Sequence, residues 1–228
     1  MNKDKLMKRI QRYVDFITKI TVRIIQFNSE KEITGHRSGF VYQSADEEAP
    51  MIITAGHGCP PSGCFVETRI RTNNGTCCYN AGEFNIFYTE GEIDFAYSLL
   101  PIDIIRNSLP PEFHLEIPVY RHSFGTPIHN EAYGFAVWNN YEFVKEANGF
   151  LLPQYCCYEV GMELVAEDDW QYLFKTMNPL NKDEYYEGAS GAPITDPEGR
   201  ICSILLGREG EYLHGQKLER IAARLKGF

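Results

Sequence analysis

The sequence predicts a mainly β protein: two antiparallel six-stranded barrels bracketed by an N-terminal and a C-terminal helix. Three observations lead there. Short β-branched and aromatic runs recur along the chain, which holds 14 Tyr and 14 Phe, and such residues suit a pleated, half-buried surface. Turn signals separate these runs as often as a small barrel requires, and the habit repeats after a proline-rich stretch near the middle. Apolar residues at helical spacing mark the two ends. A chain of 228 residues has room for one large β domain or two small ones. The expected parts are residues 1–20 for the first helix, 21–110 for the first barrel, and 111–228 for the second barrel with its closing helix.

From Lys3 to Ile20 the apolar positions Leu6, Ile10, Val14, Ile17 and Ile20 form one stripe, and Lys3, Lys5, Lys8, Arg9 and Arg12 gather near its start. The plain reading is a surface helix packed on the domain. A sharper one is a docking helix for a partner protein or a membrane surface. Six strands are expected next: Thr21–Phe27, Gly39–Gln43, Met51–Ala55, Phe65–Thr72, Phe84–Tyr88 and Ile93–Leu100. Asn73-Asn74-Gly75 is a turn signal among them. Pro101 to Pro118 reads as the connection between halves. The second half offers Ile117–Tyr120, Ala132–Trp138, Phe150–Cys157, Met162–Val165 and Ile201–Leu206, with Trp170–Met177 as a helical turn or a strand. Asp196-Pro197-Glu198-Gly199 is a turn that joins Ala192–Thr195 to Ile201–Leu206 as a hairpin. Lys217–Leu225 closes the chain as a helix, with Leu218, Ile221, Ala222 and Leu225 on one face.

Hydrophobic residues make up 43% and charged residues 23%, ordinary for a globular protein with a real core. The net charge of −9 argues against nucleic acid, because phosphate contact needs clustered Lys and Arg. No apolar run reaches the length of a membrane span, and the charged start lacks the apolar core of a secretion signal. The expectation is a cytoplasmic protein with no nucleic-acid or membrane partner. The seven cysteines include two adjacent pairs, a poor disulfide framework. Zinc held by Cys59, Cys64, Cys77 and Cys78 would lack two separated CxxC hooks, so no metal and no cofactor is expected.

The stretch Glu187-Gly188-Ala189-Ser190-Gly191-Ala192-Pro193 sets one hydroxyl among residues with almost no side chain. Glycines there permit unusual backbone angles and close approach of a ligand. Such a loop can aim the N–H groups of Gly188 and Ser190 at one point, where a substrate carbonyl oxygen would be stabilised as an oxyanion. Ser190 beside that hole is a candidate nucleophile, which needs a base. Of six histidines, His57 ends the buried-looking strand Ile52-Ile53-Thr54-Ala55-Gly56, a rigid place for a base. Asp94 heads the apolar strand Ile93–Leu100. A buried carboxylate there can accept the far N–H of a histidine. A nucleophile elbow of the α/β-hydrolase kind fits poorly, since Pro193 and the turn at 196–199 leave no room for its helix.

Thr54-Ala55-Gly56-His57, Asp94-Phe95-Ala96 and Gly188-Ala189-Ser190-Gly191-Ala192-Pro193 together resemble the three motifs of trypsin-like serine peptidases, in the chymotrypsin-family order His, Asp, Ser. Ser38-Gly39-Phe40-Val41-Tyr42 is similar to the strand that precedes the histidine motif. The resemblance covers about residues 21 to 225. It implies a site between two barrels, with Ser190 as nucleophile, His57 as base and Asp94 as the group that orients it. It implies further that Leu205-Leu206-Gly207 pairs with an extended peptide substrate, that Gly207 and Gly210 leave a side pocket open, and that Glu184 at the pocket floor favours Arg or Lys. Two features depart from the secreted digestive members. Ala189 replaces the aspartate that pairs with a freshly cut N-terminus, and Gly58 replaces a bridged cysteine. Both are closer to bacterial and intracellular types, and imply an enzyme that is always competent or switched by a protein partner through the N-terminal helix. The alternative of another class is a catalytically idle peptide-binding module with the same cleft.

Overall fold

The computed structural model describes residues 3–30, 32–44, 49–60, 64–70, 76–100, 107, 115–116, 118–138, 144–145, 151–152, 157–177 and 186–225. Helix α1 (Lys3–Ile20) has the predicted bounds. Its acidic Asp4 in the first turn and basic Lys19 in the last both suit the helix dipole. Trp138 Nε1 donates to the carbonyls of Thr18 and Thr21, each at 3.1 Å; the first is an acceptor that the end of the helix leaves open. The apolar stripe is divided in use. Val14, Ile17 and Ile20 are buried, whereas Leu6, Met7 and Ile10 are 38%, 57% and 40% exposed.

Nine strands follow: β1 (Thr21–Phe27), β2 (Ile33–Tyr42), β3 (Met51–Thr54), β4 (Cys64–Ile70), β5 (Thr76–Asn80), β6 (Asn85–Thr89), β7 (Ile93–Leu99), β8 (Leu115–Glu116) and β9 (Val119–Tyr120). They hydrogen-bond as one sheet in the order β5-β4-β1-β2-β3-β7-β6, with β8 paired to β4 and β9 to β2. The second half contributes β10 (Ala132–Val137), β11 (Val144–Lys145), β12 (Leu151–Leu152), β13 (Cys157–Glu167), β14 (Gln171–Lys175), β15 (Pro193–Thr195), β16 (Ile201–Glu209) and β17 (Tyr212–Lys217). Six of these close a barrel in the order β10-β13-β14-β17-β16-β15. Helix α2 (Leu218–Leu225) ends the described chain. No helix among the described residues is long and apolar enough to cross a membrane.

The mainly β architecture with a helix at each end is the one predicted, and the hairpin of β15 with β16 forms in register. Several elements differ from the sequence reading. Val119–Tyr120, expected to open the second half, pairs in parallel with β2 of the first sheet. β2 begins six residues earlier than Gly39, because β1 opposite it supplies partners from Phe40 back to Ile33. Trp170–Met177 resolves to a strand. β17 was not anticipated: its sequence Tyr-Leu-His-Gly-Gln-Lys lacks a clean alternation. It forms because β14 and β16 hydrogen-bond to both its edges, which stabilises a strand that pattern alone does not specify.

The two halves share a core. Phe40, Ile53, Ile93 and Phe95 of the sheet pack with Ile201, Ile204 and Leu206 of the barrel and with Leu218 and Ile221 of α2. Each such side chain contributes about 1.5–3 kcal/mol when fully buried, so the seam between the halves is a structural joint. The candidate site lies on this joint.

Candidate active site

Strand β3 is buried at every position and delivers the chain to Gly56 and His57 as a rigid support. The turn beyond is held from β2. Arg37 donates from Nη1 to the carbonyls of Ala55 (3.2 Å) and His57 (2.9 Å), and from Nη2 to that of Gly58. A guanidinium fork thus gathers three carbonyls at this turn.

Asp94 is second in β7 and its side chain is 13% exposed. Oδ1 accepts the N–H groups of Gly56 and His57, both at 2.7 Å, and Oδ2 accepts His57 Nδ1–H at 2.6 Å. Burial pushes this carboxyl up. The hydrogen bonds from the His57 ring and backbone, the His57 charge and the Gly56 N–H together outweigh burial and hold it below its ordinary value. An ionised carboxylate only accepts, so the ring proton sits on Nδ1 and leaves Nε2 as the acceptor. Nε2 lies 3.0 Å from Ser190 Oγ, which completes an unbroken chain Ser190–His57–Asp94.

Ser190 sits in the loop between Tyr186 and β15. Gly188 and Gly191 have φ of 73° and 87°, a region that disfavours other residues. The loop is sewn to the first sheet. Ser38 donates from its N–H to Ser190 O (3.0 Å) and from Oγ to Gly188 O (2.7 Å), while Thr54 Oγ1 donates to Ser38 O at 2.7 Å. Within the loop the N–H groups of Ala189, Gly191 and Ala192 donate to Tyr186 O, Leu205 O and Ala189 O. Among the described residues, the N–H groups of Gly188 and Ser190 donate to no protein acceptor. These are the two groups predicted to receive an oxyanion.

The sequence-predicted residues thus divide. His57, Asp94, Ser190 and Gly188 come together. Leu206 O, within β16, lies 3.2 Å from Ser190 Oγ, which donates to it. Leu205 is a barrel-core side chain, 2% exposed. Gly207 follows a bulge in the pairing with β17 and faces open space. Gly210 is in the turn between β16 and β17 and accepts Arg208 Nε–H at 2.6 Å. Glu184 lies outside the described residues. Of the four thiols weighed for zinc, Cys59 and Cys64 are buried and unbridged; burial pushes Cys59 up to about 11. The side chains of Cys77 and Cys78 lie outside the description. Sequence reasoning missed Arg37 and Gln216, whose Oε1 accepts the Asp94 N–H at 2.8 Å, and it quoted Ser38 and Thr54 in motifs without their clamping roles. No local signal marks Arg37 or Gln216 or gives Ser38 and Thr54 their roles, since each acts through contacts made by the fold.

No known family model matches the chain in sequence, and no curated protein does. Solved structures match it in three dimensions. Deg5 aligns with a TM-score of 0.58 at 14% identity, over 98% of this chain and 94% of that one. The Rv3671c protease from M. tuberculosis in its active form aligns at 0.52 and 14%, over 94% and 82%. The serine endoprotease from Yersinia pestis aligns at 0.57 and 12%, over 95% of this chain and 65% of that longer one. At such identity the likeness establishes the fold, which is the trypsin-like fold of these serine proteases.

Proposed function

We propose that the protein is a serine endopeptidase working through Ser190, His57 and Asp94. The observation that carries this reading is the hydrogen-bonded chain of 3.0 Å and 2.6 Å across the joint between the halves. His57 Nε2 takes the Ser190 hydroxyl proton as Oγ bonds to the scissile carbonyl carbon. The Gly188 and Ser190 N–H groups hold the oxyanion; loss of one such donor costs about 100- to 1,000-fold in turnover. The imidazolium then passes its proton to the leaving amine as the C–N bond breaks, leaving an ester on Ser190. Water, deprotonated by His57, hydrolyses that ester and restores the serine. Asp94 stabilises the imidazolium at each stage. Leu206, whose carbonyl lies against Ser190 Oγ, and the exposed Gly207 beside it in β16 offer main-chain groups to an extended peptide.

Labelling with a fluorophosphonate probe tests the reading, with Ser190→Ala and His57→Ala as controls. Wild type is expected to label and both variants to lose the label. A wild type that never labels, alone or with partners, would leave an idle peptide-binding module instead. The preference for Arg or Lys depends on Glu184 and is tested by a peptide-library profile; an apolar preference unchanged in Glu184→Ala ends it. Partner activation is supported by the uncovered Leu6, Met7 and Ile10 on a helix whose Tyr13 hydroxyl donates to Thr195 O at 2.7 Å. Equal activity with and without residues 1–12, in the presence of partner, would dismiss it.

A further inference from the structure

Each end of the Ser190–His57–Asp94 chain is tied to the half of the molecule that does not supply it. At the serine end the tie is Ser38 of β2. At the carboxylate end it is Gln216 of β17, a residue 122 positions from Asp94 and fully buried. Gln216 Oε1 accepts the Asp94 N–H at 2.8 Å, and its Nε2 donates to Trp170 O at 2.9 Å. A backbone N–H only donates and a carbonyl only accepts, so the amide has a single orientation with its oxygen towards Asp94.

Gln216 is itself immobilised. Its backbone pairs with Gln171 of β14 and Ile204 of β16. Trp170 O also accepts the Lys217 N–H at 2.9 Å, and the Trp170 N–H donates to Asp168 Oδ1 at 2.7 Å. The three donors on the Asp94 carboxylate, by contrast, all come from Gly56 and His57, in the same half as Asp94. They register the carboxylate against the imidazole. They do not register either group against Ser190. The apolar packing of Ile93 and Phe95 against Ile204, Leu218 and Ile221 joins the halves, but it is non-directional.

We propose that Gln216 is a positioning residue for the reaction: by anchoring the Asp94 backbone to the barrel, it sets where His57 stands relative to Ser190. This inference takes the serine endopeptidase reading as its basis. Without the acceptor, the buried Asp94 N–H has lost its partner and the start of β7 shifts to recover one. A misplacement of about 1 Å at a reacting group costs roughly 100-fold in rate.

The test replaces Gln216 with methionine, which matches its length without offering the oxygen, and with asparagine, which withdraws the amide by one methylene. Active sites are first counted with a fluorophosphonate, so that any unfolded fraction drops out. On purified full-length protein, the saturating labelling rate per active site is expected to fall about 10- to 100-fold in each variant, with the half-saturating probe concentration unchanged. The far-downfield proton signal of His57 Nδ1–H is expected to shift or broaden in both. If methionine prevents folding, the asparagine variant decides alone. A labelled wild type with equally fast variants and an unmoved proton signal overturns the inference. A wild type that never labels overturns the peptidase reading, and this inference with it.

Discussion

Gly191 follows Ser190 with φ of 87° and lies in a cradle made by the first sheet. A Cβ there would stand 2.2 Å from Ser38 O, 2.2 Å from Thr54 Oγ1 and 2.9 Å from Ala55 N. Two consequences follow for Gly191→Ala. The left-handed backbone costs an L-residue about 1–2 kcal/mol. Relief of contacts that close to backbone atoms requires a displacement of about 1 Å or more, and carbon at ordinary contact needs about 3.5 Å. The loop cannot move so far and keep the Ser38 N–H bond to Ser190 O. Adding one lost hydrogen bond of about 1 kcal/mol gives an expected destabilisation of about 2–3 kcal/mol. Movement of Ser190 Oγ away from His57 is expected to lower the labelling rate about 100-fold. Urea melts and probe labelling per active site measure the two effects. Thr54→Ala in the same background relieves one contact, yet Ser38 O remains, so little rescue is expected. A Gly191→Ala protein with wild-type labelling and a melt within about 0.5 kcal/mol would refute the close fit of loop to sheet.

Three further outcomes are expected. Arg37→Ala should cost about 2–3 kcal/mol, since three carbonyls lose a charged donor, and Arg37→Lys should restore part of it, because an ammonium lacks the planar fork; a silent Arg37→Ala in calorimetry would contradict the clamp. Asp94→Asn should lower turnover about 10,000-fold through the wrong tautomer. It should also change the pH dependence of stability. A carboxyl held below its unfolded value contributes stability that is present above about pH 4 and lost as pH falls through the lower folded value, so the gap between wild type and Asp94→Asn in urea melts should narrow towards pH 2; a constant gap would contradict the depressed carboxyl. Burial pushes the Tyr13 phenol well above its ordinary value, keeping it a donor to Thr195 O, so Tyr13→Phe should cost about 1–2 kcal/mol. An unchanged melt would mean that α1 is held by its apolar stripe alone.

The readable parts of this chain are those where a local stretch answers a local need. The helical stripe from Leu6 to Ile20, the hairpin around Asp196–Gly199 and the small-residue loop at Ser190 each carry their own signal, so their form is legible without coordinates. His57 and Asp94 were legible for a similar reason: each stands at the end of an apolar strand, where a polar group needs a purpose. The strand Tyr212–Lys217 was not legible, because its partners β14 and β16 come from elsewhere and polar residues within it are satisfied only once those partners arrive. Leu205 and Leu206 look alike in sequence, yet a bulge beside them sends one into the barrel core and leaves the carbonyl of the other against Ser190.

The sequence by itself determined the mainly β architecture with a helix at each end, and it singled out His57, Asp94 and Ser190 as candidates. The tertiary structure decided how they are held. Arg37 ties β2 to the turn after β3 within one half, while Ser38 and Gln216 act across the fold, through hydrogen bonds to residues of the opposite half. A hydrogen bond depends on distance and direction between two atoms, and for partners more than 100 residues apart those quantities exist only after the sheet and the barrel have packed.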